Sequence, residues 1–171
     1  MAQAVAVFSG ETVKGEVTFS QMGSDVVIVA KFSALPPGDH GFHIHKAGDL
    51  RGEGCKGACD HFTTGSTIHG GPPSLEGKGE ERHTGDLGNI KQDDEKTYTL
   101  SNLSVEDLWG RSMIVHADPD DLGLGVEEDS KTTGHSGARI GCAVIGRAEC
   151  TEKKGGSRKK RASRKKRCCK H

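Results

Sequence analysis

The chain has 171 residues, a length typical of one domain. Residues 1–150 carry 13 basic and 23 acidic side chains, whereas residues 151–171 carry 11 basic and one acidic. No stretch approaches the roughly 18 apolar residues of a membrane-spanning helix, and the N-terminus lacks the basic segment of a secretory signal. We therefore expect a cytoplasmic protein, neither secreted nor membrane-bound, with a folded domain over 1–150 and a disordered basic tail over 151–171.

Eight short segments have the alternation or the β-branched composition of strands, and turn residues separate them. In chain order they are residues 4–8, 13–20, 25–33, 40–45, 86–91, 96–103, 111–116 and 139–147. The pattern predicts an all-β sandwich or barrel with no helix longer than a turn or two, the best candidate being residues 104–107. Residues 46–81 and 118–138 are long for ordinary turns, and loops of such length are usually functional or disordered.

Six of the nine histidines, together with one aspartate, are spaced as metal ligands. His43 and His45 lie two residues apart on a strand and therefore share a face, while Ile44 points to the other face. Three imidazoles and one carboxylate form a four-ligand set that suits Zn²⁺, and imidazole also suits copper. The whole set is sufficient for two metals if one imidazole bridges them: His43, His45, His61, His69, His83, Asp86 and His116. A single histidine would more often be an ordinary hydrogen-bonded residue.

Longer motifs around these histidines are spread through residues 3–148. They are Gly41-Phe42-His43-Ile44-His45, His61-Phe62, His69-Gly70-Gly71-Pro72, Glu81-Arg82-His83-Thr84-Gly85-Asp86, Val115-His116-Ala117-Asp118-Pro119-Asp120 and Gly134-His135-Ser136-Gly137-Ala138-Arg139-Ile140-Gly141-Cys142. In residues and in order, these motifs resemble those of the copper,zinc superoxide dismutases. The resemblance implies a flattened, eight-stranded Greek-key β-barrel with two long functional loops. This agrees with the number of strands predicted from alternation.

The resemblance also implies a site and a reaction. One copper per subunit would be bound by His43, His45, His61 and His116, and one zinc per subunit by His61, His69, His83 and Asp86. Copper would alternate between Cu(II) and Cu(I), converting superoxide to oxygen and hydrogen peroxide, while His61 leaves copper and takes up a proton. Zinc, which has no redox chemistry, would hold His61 in place.

Two further side chains gain roles from the same resemblance. Arg139 would dock the superoxide anion beside copper, since its guanidinium stays charged and offers a planar set of donors. Asp120 would link a copper histidine to a zinc histidine, although from the residues alone such an aspartate is more often a solvated loop carboxylate, and Asp118 and Asp121 lie close by. His40 would be a structural histidine, whereas His135 is expected on the polar surface.

The six cysteines divide into one predicted pair and four thiols. The resemblance implies a disulfide between Cys55 and Cys142, which would pin the first long loop to the barrel and contribute about 3–5 kcal/mol. The simplest interpretation of the others is that they are free thiols, although Cys59 is near enough in sequence to Cys55 to compete for pairing. These four are Cys59, Cys150, Cys168 and Cys169.

Some features depart from the family pattern. The segment between His69 and His83 is longer than in the common eukaryotic form, and Arg147 replaces an apolar residue of the expected dimer contact. A homodimer remains the expectation, and copper supply by a chaperone is left open. The basic clusters 158–161 and 164–167 indicate a nuclear address, a packaging signal, a contact with nucleic acid or another acidic surface, or only a solvated tail.

Two functions follow from these patterns. The first is a superoxide dismutase with copper and zinc, acting in antioxidant defence. The alternative is a non-enzymatic domain that binds or delivers copper; such relatives typically lack a copper ligand, whereas this sequence has all four and also has Arg139.

Overall fold

The computed structural model describes residues 3–75 and 81–148. Part of the longer segment before His83 and all of the basic tail lie outside these ranges, as do Cys150, Cys168 and Cys169. Within the described ranges, no helix is both long enough and apolar enough to cross a membrane.

In the described ranges, nine strands make up two antiparallel sheets. They are β1 (Ala4–Ser9), β2 (Lys14–Met22), β3 (Asp25–Ala34), β4 (His40–His45), β5 (Asp86–Ile90), β6 (Glu95–Leu100), β7 (Ser112–His116), β8 (Arg139–Val144) and β9 (Gly146–Arg147). One sheet has the order β6-β3-β2-β1-β9 and the other has the order β5-β4-β7-β8. The predicted all-β architecture is confirmed.

The last predicted strand is divided in two. Its first part pairs with β7 and its second part pairs with β1, which belongs to the other sheet. At Ile145 the chain leaves one sheet for the other, and its main chain exchanges hydrogen bonds with Gly110 and Arg111. Alternation alone did not show this crossing, because Ile145 is fully buried and continues the apolar pattern.

The core lies between the sheets and contains the inward-facing residues of both. An aromatic row crosses it, with Phe8 against Phe32, Phe32 edge-on to Phe42, and Phe42 against Tyr98. Outward residues of β3 alternate with buried ones, as expected for a sheet with one solvated face. Burial of these side chains between two sheets provides the main stabilisation of the fold.

Helical structure in the described ranges is limited to single turns. They are Glu53–Ala58, Val105–Leu108 and Ser130–Thr133. The second turn begins at Ser104, where a capping box joins Ser104 and Asp107, and this is the one short helix that the sequence indicated.

Candidate metal centre and active site

The register of the second sheet brings the candidate ligands together. His43 on β4 lies opposite Asp86 on β5, and His116 on β7 lies opposite Arg139 on β8. His45 forms an isolated bridge with His61, which draws the first long loop onto the sheet. All six residues of β4 are buried, because core side chains cover Ile44 on one face and the long loops cover the histidines on the other.

Four imidazoles form the first buried group. One ring nitrogen from each lies within 4.8 Å of those of the others, the residues being His43, His45, His61 and His116. Two of the rings are oriented by main-chain carbonyls: Nδ1 of His45 lies 2.8 Å from the carbonyl of Cys59, and Nδ1 of His116 lies 3.1 Å from that of Gly137. The structure thus brings together the four residues for which the resemblance implied copper binding.

The second group surrounds the carboxylate of Asp86. Its Oδ1 lies 2.8 Å from Nδ1 of His61, 3.1 Å from Nδ1 of His69 and 3.3 Å from Nδ1 of His83. Ligand atoms around a tetrahedral Zn²⁺ with bonds of about 2.0–2.1 Å are separated by about 3.3 Å, so the spacing suits zinc. The second group of ligand atoms that lie within 4.8 Å of one another contains His43, and not His83, beside His61, His69 and Asp86. Since His43 already belongs to the first group and Nδ1 of His83 lies 3.3 Å from Asp86, the contacts at Asp86 favour His83 as the fourth member.

Unpartnered ring nitrogens test whether these residues fit metal ions. His43, His45 and His116 each use one ring nitrogen on a carboxylate or carbonyl oxygen, and such an oxygen only accepts a hydrogen bond. In a neutral imidazole the opposite nitrogen is then a bare lone pair. These opposite nitrogens are buried without a hydrogen-bond partner, as is Nε2 of His61. Clustered buried lone pairs are what a metal cation needs, so the donor set fits copper and zinc.

Asp120 accepts hydrogen bonds from one histidine of each group. Its Oδ2 accepts from Nε2 of His43 at 2.8 Å and its Oδ1 accepts from Nε2 of His69 at 2.7 Å. The side-chain amide of Asn89 holds the main chain of Asp120 through two hydrogen bonds, at 2.9 and 2.7 Å. Partners of this kind fix ring orientation and tautomer. Asp118, which the sequence did not separate from Asp120, is exposed.

Comparison with known proteins agrees with this geometry. The family model for copper/zinc superoxide dismutase matches residues 13–145. The chain belongs to the copper/zinc superoxide dismutase family. The superoxide dismutase [Cu-Zn] of Paramecium bursaria Chlorella virus 1 is 46% identical over 154 residues, which cover 85% of this chain and 79% of that protein. The crystal structure of the clock protein EA4 is similar with a TM-score of 0.74 and 35% identity, covering 85% of this chain and 94% of that one.

The pKa values of the metal-free site follow from burial and from neighbouring charges. Burial lowers the pKa of His43, His45 and His61, with the other imidazoles adding to the shift of each, and it lowers the pKa of His116 to about 4. Burial also opposes charge on His69, but hydrogen bonds to Asp120 and Asp86 prevail and raise its pKa to about 9. The lowered pKa values of His43, His45, His61 and His116 keep these four imidazoles neutral near pH 7, as metal ligands must be.

A cavity of about 680 Å³ leads to this dismutase-family site. His45, His61 and His116 line it together with Arg139. The guanidinium of Arg139 donates to the main-chain carbonyls of Cys55 at 2.8 Å and of Cys59 at 2.6 Å, so its position is fixed by the loop of the long segment. The sequence placed Arg139 beside the copper ligands, and the cavity brings them together.

The predicted disulfide is present: Cys55 and Cys142 are bonded, with their Cα atoms 6.7 Å apart. It ties the carbonyl of Cys55, a partner of Arg139, to strand β8. Cys59 is a free, exposed thiol, as the simplest interpretation had it.

Some residues that hold the site were not identified from the sequence. The half-buried guanidinium of Arg82 donates to the carbonyls of Gly71, Thr84 and Asp86. It therefore joins the start and the end of the segment 69–86, which contains three of the four residues assigned to zinc. Its place beside His83 was the available signal. The carbonyl of Cys59 gave none, because main-chain acceptors carry no sequence signature.

The two histidines predicted to lie outside the ligand sets do so. His40 is buried, with its ring nitrogens against the carbonyls of Pro36, His116 and Ala117. His135 is on the surface, where its Nδ1 lies 2.7 Å from Oδ1 of Asp129.

Proposed function

We propose that this chain is a superoxide dismutase that converts two superoxide anions and two protons to oxygen and hydrogen peroxide. The observation that carries the proposal is the group of four buried imidazoles with unpartnered nitrogens at the base of a cavity that also contains Arg139. One copper per subunit is assigned to His43, His45, His61 and His116. One zinc is assigned to His61, His69, His83 and Asp86.

Bound copper supplies one-electron redox chemistry, by which one superoxide loses an electron and a second gains it. Arg139 attracts and orients the anion, since a guanidinium held by two carbonyls keeps further donors directed into the cavity. The carbonyl contacts restrict its movement, so little entropy is lost when the anion docks.

His61 is the residue in a position to move a proton. Its Nδ1 faces the Asp86 side and its buried Nε2 belongs to the other group of imidazoles. We assign to Nε2 the proton that is taken up in one half of the cycle and given to the second superoxide in the other. Asp120 acts as a positioning residue, because it contacts His43 and His69 and not the cavity.

A copper-storage or copper-delivery role is the second candidate, and the site does not favour it. A storage protein needs the ligands but has no use for a fixed guanidinium beside them. Arg139 is fixed by two hydrogen bonds and lines the cavity that leads to the ligands.

The deciding experiment is pulse radiolysis of protein loaded with copper and zinc, over a range of ionic strength. We expect superoxide decay with kcat/KM near about 10⁸–10⁹ M⁻¹s⁻¹, falling as salt rises. Full metal loading without catalysis would contradict the enzyme assignment and leave copper storage.

We also propose a homodimer formed through the face that contains Val144 and Gly48. Val144 is an exposed apolar residue whose side chain lies beside Gly48. The guanidinium of Arg147 stacks 4.2 Å from the Trp109 ring centroid, so its charge already has a partner. Sedimentation equilibrium tests the assignment: Val144→Glu should shift a dimer to monomer, whereas Val126→Glu, at an exposed loop position, should not.

The remaining proposals concern the cell. We propose a cytoplasmic location, copper loading by a separate chaperone, and binding of the 11 basic residues of 151–171 to nucleic acid or another acidic surface. Binding of duplex DNA by the full chain, but not by a chain ending at residue 150, would support the last of these. A nuclear address or packaging signal predicts instead that the deletion changes location without affecting binding to DNA.

A further inference from the structure

Asp129 lines the active-site cavity together with Arg139 and belongs to a charge pair that the assigned reaction does not use. Its Oδ1 lies 2.7 Å from Nδ1 of His135, and both side chains are about half exposed, at 51% and 57%. Asp129 therefore borders the path of an approaching anion, and His135 contacts Asp129 without lining the cavity.

The charges around the cavity make His135 decisive for the local balance. Lys46 and Asp60 also line the cavity, and their side chains form an ion pair at 3.4 Å, so their charges largely cancel. Arg139 then supplies one positive charge and Asp129 one negative charge. When His135 is protonated, it cancels Asp129 and leaves the charge of Arg139 uncompensated.

We propose that His135 neutralises Asp129 and thereby raises the rate at which superoxide reaches Arg139. The proposal rests on the dismutase function proposed above and adds a substrate-steering residue to it. His135 changes the net charge near Arg139 through its contact with Asp129 and does not itself contact the reacting anion. It is therefore a positioning residue and not a catalytic one.

The surroundings of the pair support protonation of His135. The acidic groups that face it are Asp129, Glu127 and Asp121. A hydrogen bond and the charge of Asp129 raise the pKa of His135, while the same contact lowers the pKa of Asp129. The pair is thus charged on both sides below the pKa of His135. At higher pH, Asp129 alone stays charged and repels the substrate.

The backbone conformation of His135 permits a substitution that tests the proposal. His135 has a positive φ of 49°, a conformation that asparagine tolerates better than most residues. His135→Asn therefore removes the titrating charge with little change in backbone strain. Asp129→Asn removes the partner charge. Lys31→Gln and Glu95→Gln are matched controls, because these residues form an exposed ion pair at 2.9 Å and do not line the cavity.

The first measurement is kcat/KM for superoxide by pulse radiolysis of metal-loaded protein, between pH 6 and 9.5, at about 10 and 150 mM salt. For unit charges roughly 10 Å apart in water, we expect about a twofold fall at low salt as His135 deprotonates. The step should shrink at the higher salt, where the Debye length is about 8 Å. His135→Asn should show the lower rate throughout, and the two controls should retain the wild-type step. Asp129→Asn should stay at or above the higher wild-type rate, and the step from its remaining His135 should lie at lower pH.

The second measurement does not depend on catalysis. The NMR titration of His135 in the Cu(I),Zn protein should give a higher pKa in wild type than in Asp129→Asn. Equal pKa values, or wild-type rates in His135→Asn at low salt, would overturn the proposal while leaving the dismutase assignment intact. Failure of the proposed function is distinct, since every variant and the wild type would then lack catalysis.

Discussion

The guanidinium of Arg139 donates a hydrogen bond from Nη2 to the main-chain carbonyl of Cys59, at 2.6 Å. The same carbonyl accepts from Nδ1 of His45 at 2.8 Å. One main-chain oxygen thus positions both an assigned copper ligand and the residue assigned to dock the substrate. The backbone conformation of Cys59 therefore affects the positions of both His45 and Arg139.

Cys59 should be strained at this position. Its φ is 63° and its ψ is −148°, close to a region that is essentially restricted to glycine and costs other residues about 1–3 kcal/mol. We predict that Cys59→Gly raises the free energy of unfolding by about 1 kcal/mol, since glycine relieves the strain but loses more entropy on folding. Urea denaturation with the Cys55–Cys142 bond intact measures the change.

Cys59→Ser is the control for this prediction. It removes the thiol but keeps the Cβ atom, so it should be close to wild type in stability. If the serine variant gains as much as the glycine variant, the thiol and not the backbone conformation is responsible.

Arg139 should govern the rate of superoxide capture. A hydrogen bond to a charged group contributes about 1.5–3 kcal/mol, so Arg139→Gln should lower kcat/KM about 10- to 100-fold. The kcat/KM of Arg139→Lys should lie between those of wild type and Arg139→Gln. An ammonium keeps the charge but lacks the planar donors that contact the carbonyls of Cys55 and Cys59.

The matched control is Arg51→Gln. Arg51 is exposed, forms an ion pair with Asp49 and does not line the cavity. Pulse radiolysis should show nearly wild-type decay for this variant. An equal loss in Arg51→Gln and Arg139→Gln would mean that net charge, and not the docking contact, determines the rate.

The sequence predicted the structure best where the residue types and their spacing along a strand indicate the same element. Alternation in β2 and β3 predicted their strands, and the two-residue spacing of His43 and His45 predicted a shared face. Two features depend on long-range contacts and had no local signal: the sheet crossing at Ile145 and the carbonyl of Cys59. The pairing of His135 with Asp129 was also not predicted from the sequence, because the helical turn Ser130–Thr133 brings them together and both are common surface residues.

Asp120 should determine metal affinity. Both of its oxygens accept hydrogen bonds from buried histidines, and an asparagine amide can accept at one oxygen while its NH₂ group opposes the second donor. We predict that Asp120→Asn weakens zinc binding about 10- to 100-fold, as expected for loss of a partner that orients a ligand. Competition with a chelator measures the zinc dissociation constant.

Asp118→Asn provides the comparison for Asp120→Asn. Asp118 is an exposed neighbour on the same loop, so its loss should leave zinc affinity near the wild-type value. Similar weakening in both variants would indicate that the charge of the loop, and not the bridge between His43 and His69, stabilises bound zinc.

The metal-free protein should lose stability in acid because its imidazoles are buried uncharged. His116 has a pKa of about 4 in the fold against 6.5 in the unfolded chain. Between these values the unfolded chain binds more protons, so stability falls as pH falls, by about 3 kcal/mol for this residue. His69 acts oppositely: its pKa of about 9 gives stability that is complete below pH 6.5 and is lost as pH rises towards 9.

Urea unfolding of metal-free protein across pH 4–9 tests these signs. The free energy of unfolding should decline towards both ends of the range. His116→Asn should make the acid decline shallower, whereas His135→Asn should not, because His135 is exposed and its pKa is raised, so its stabilisation persists below pH 6.5. An acid decline as steep in His116→Asn as in wild type would show that His116 is already accessible to protons in the metal-free fold.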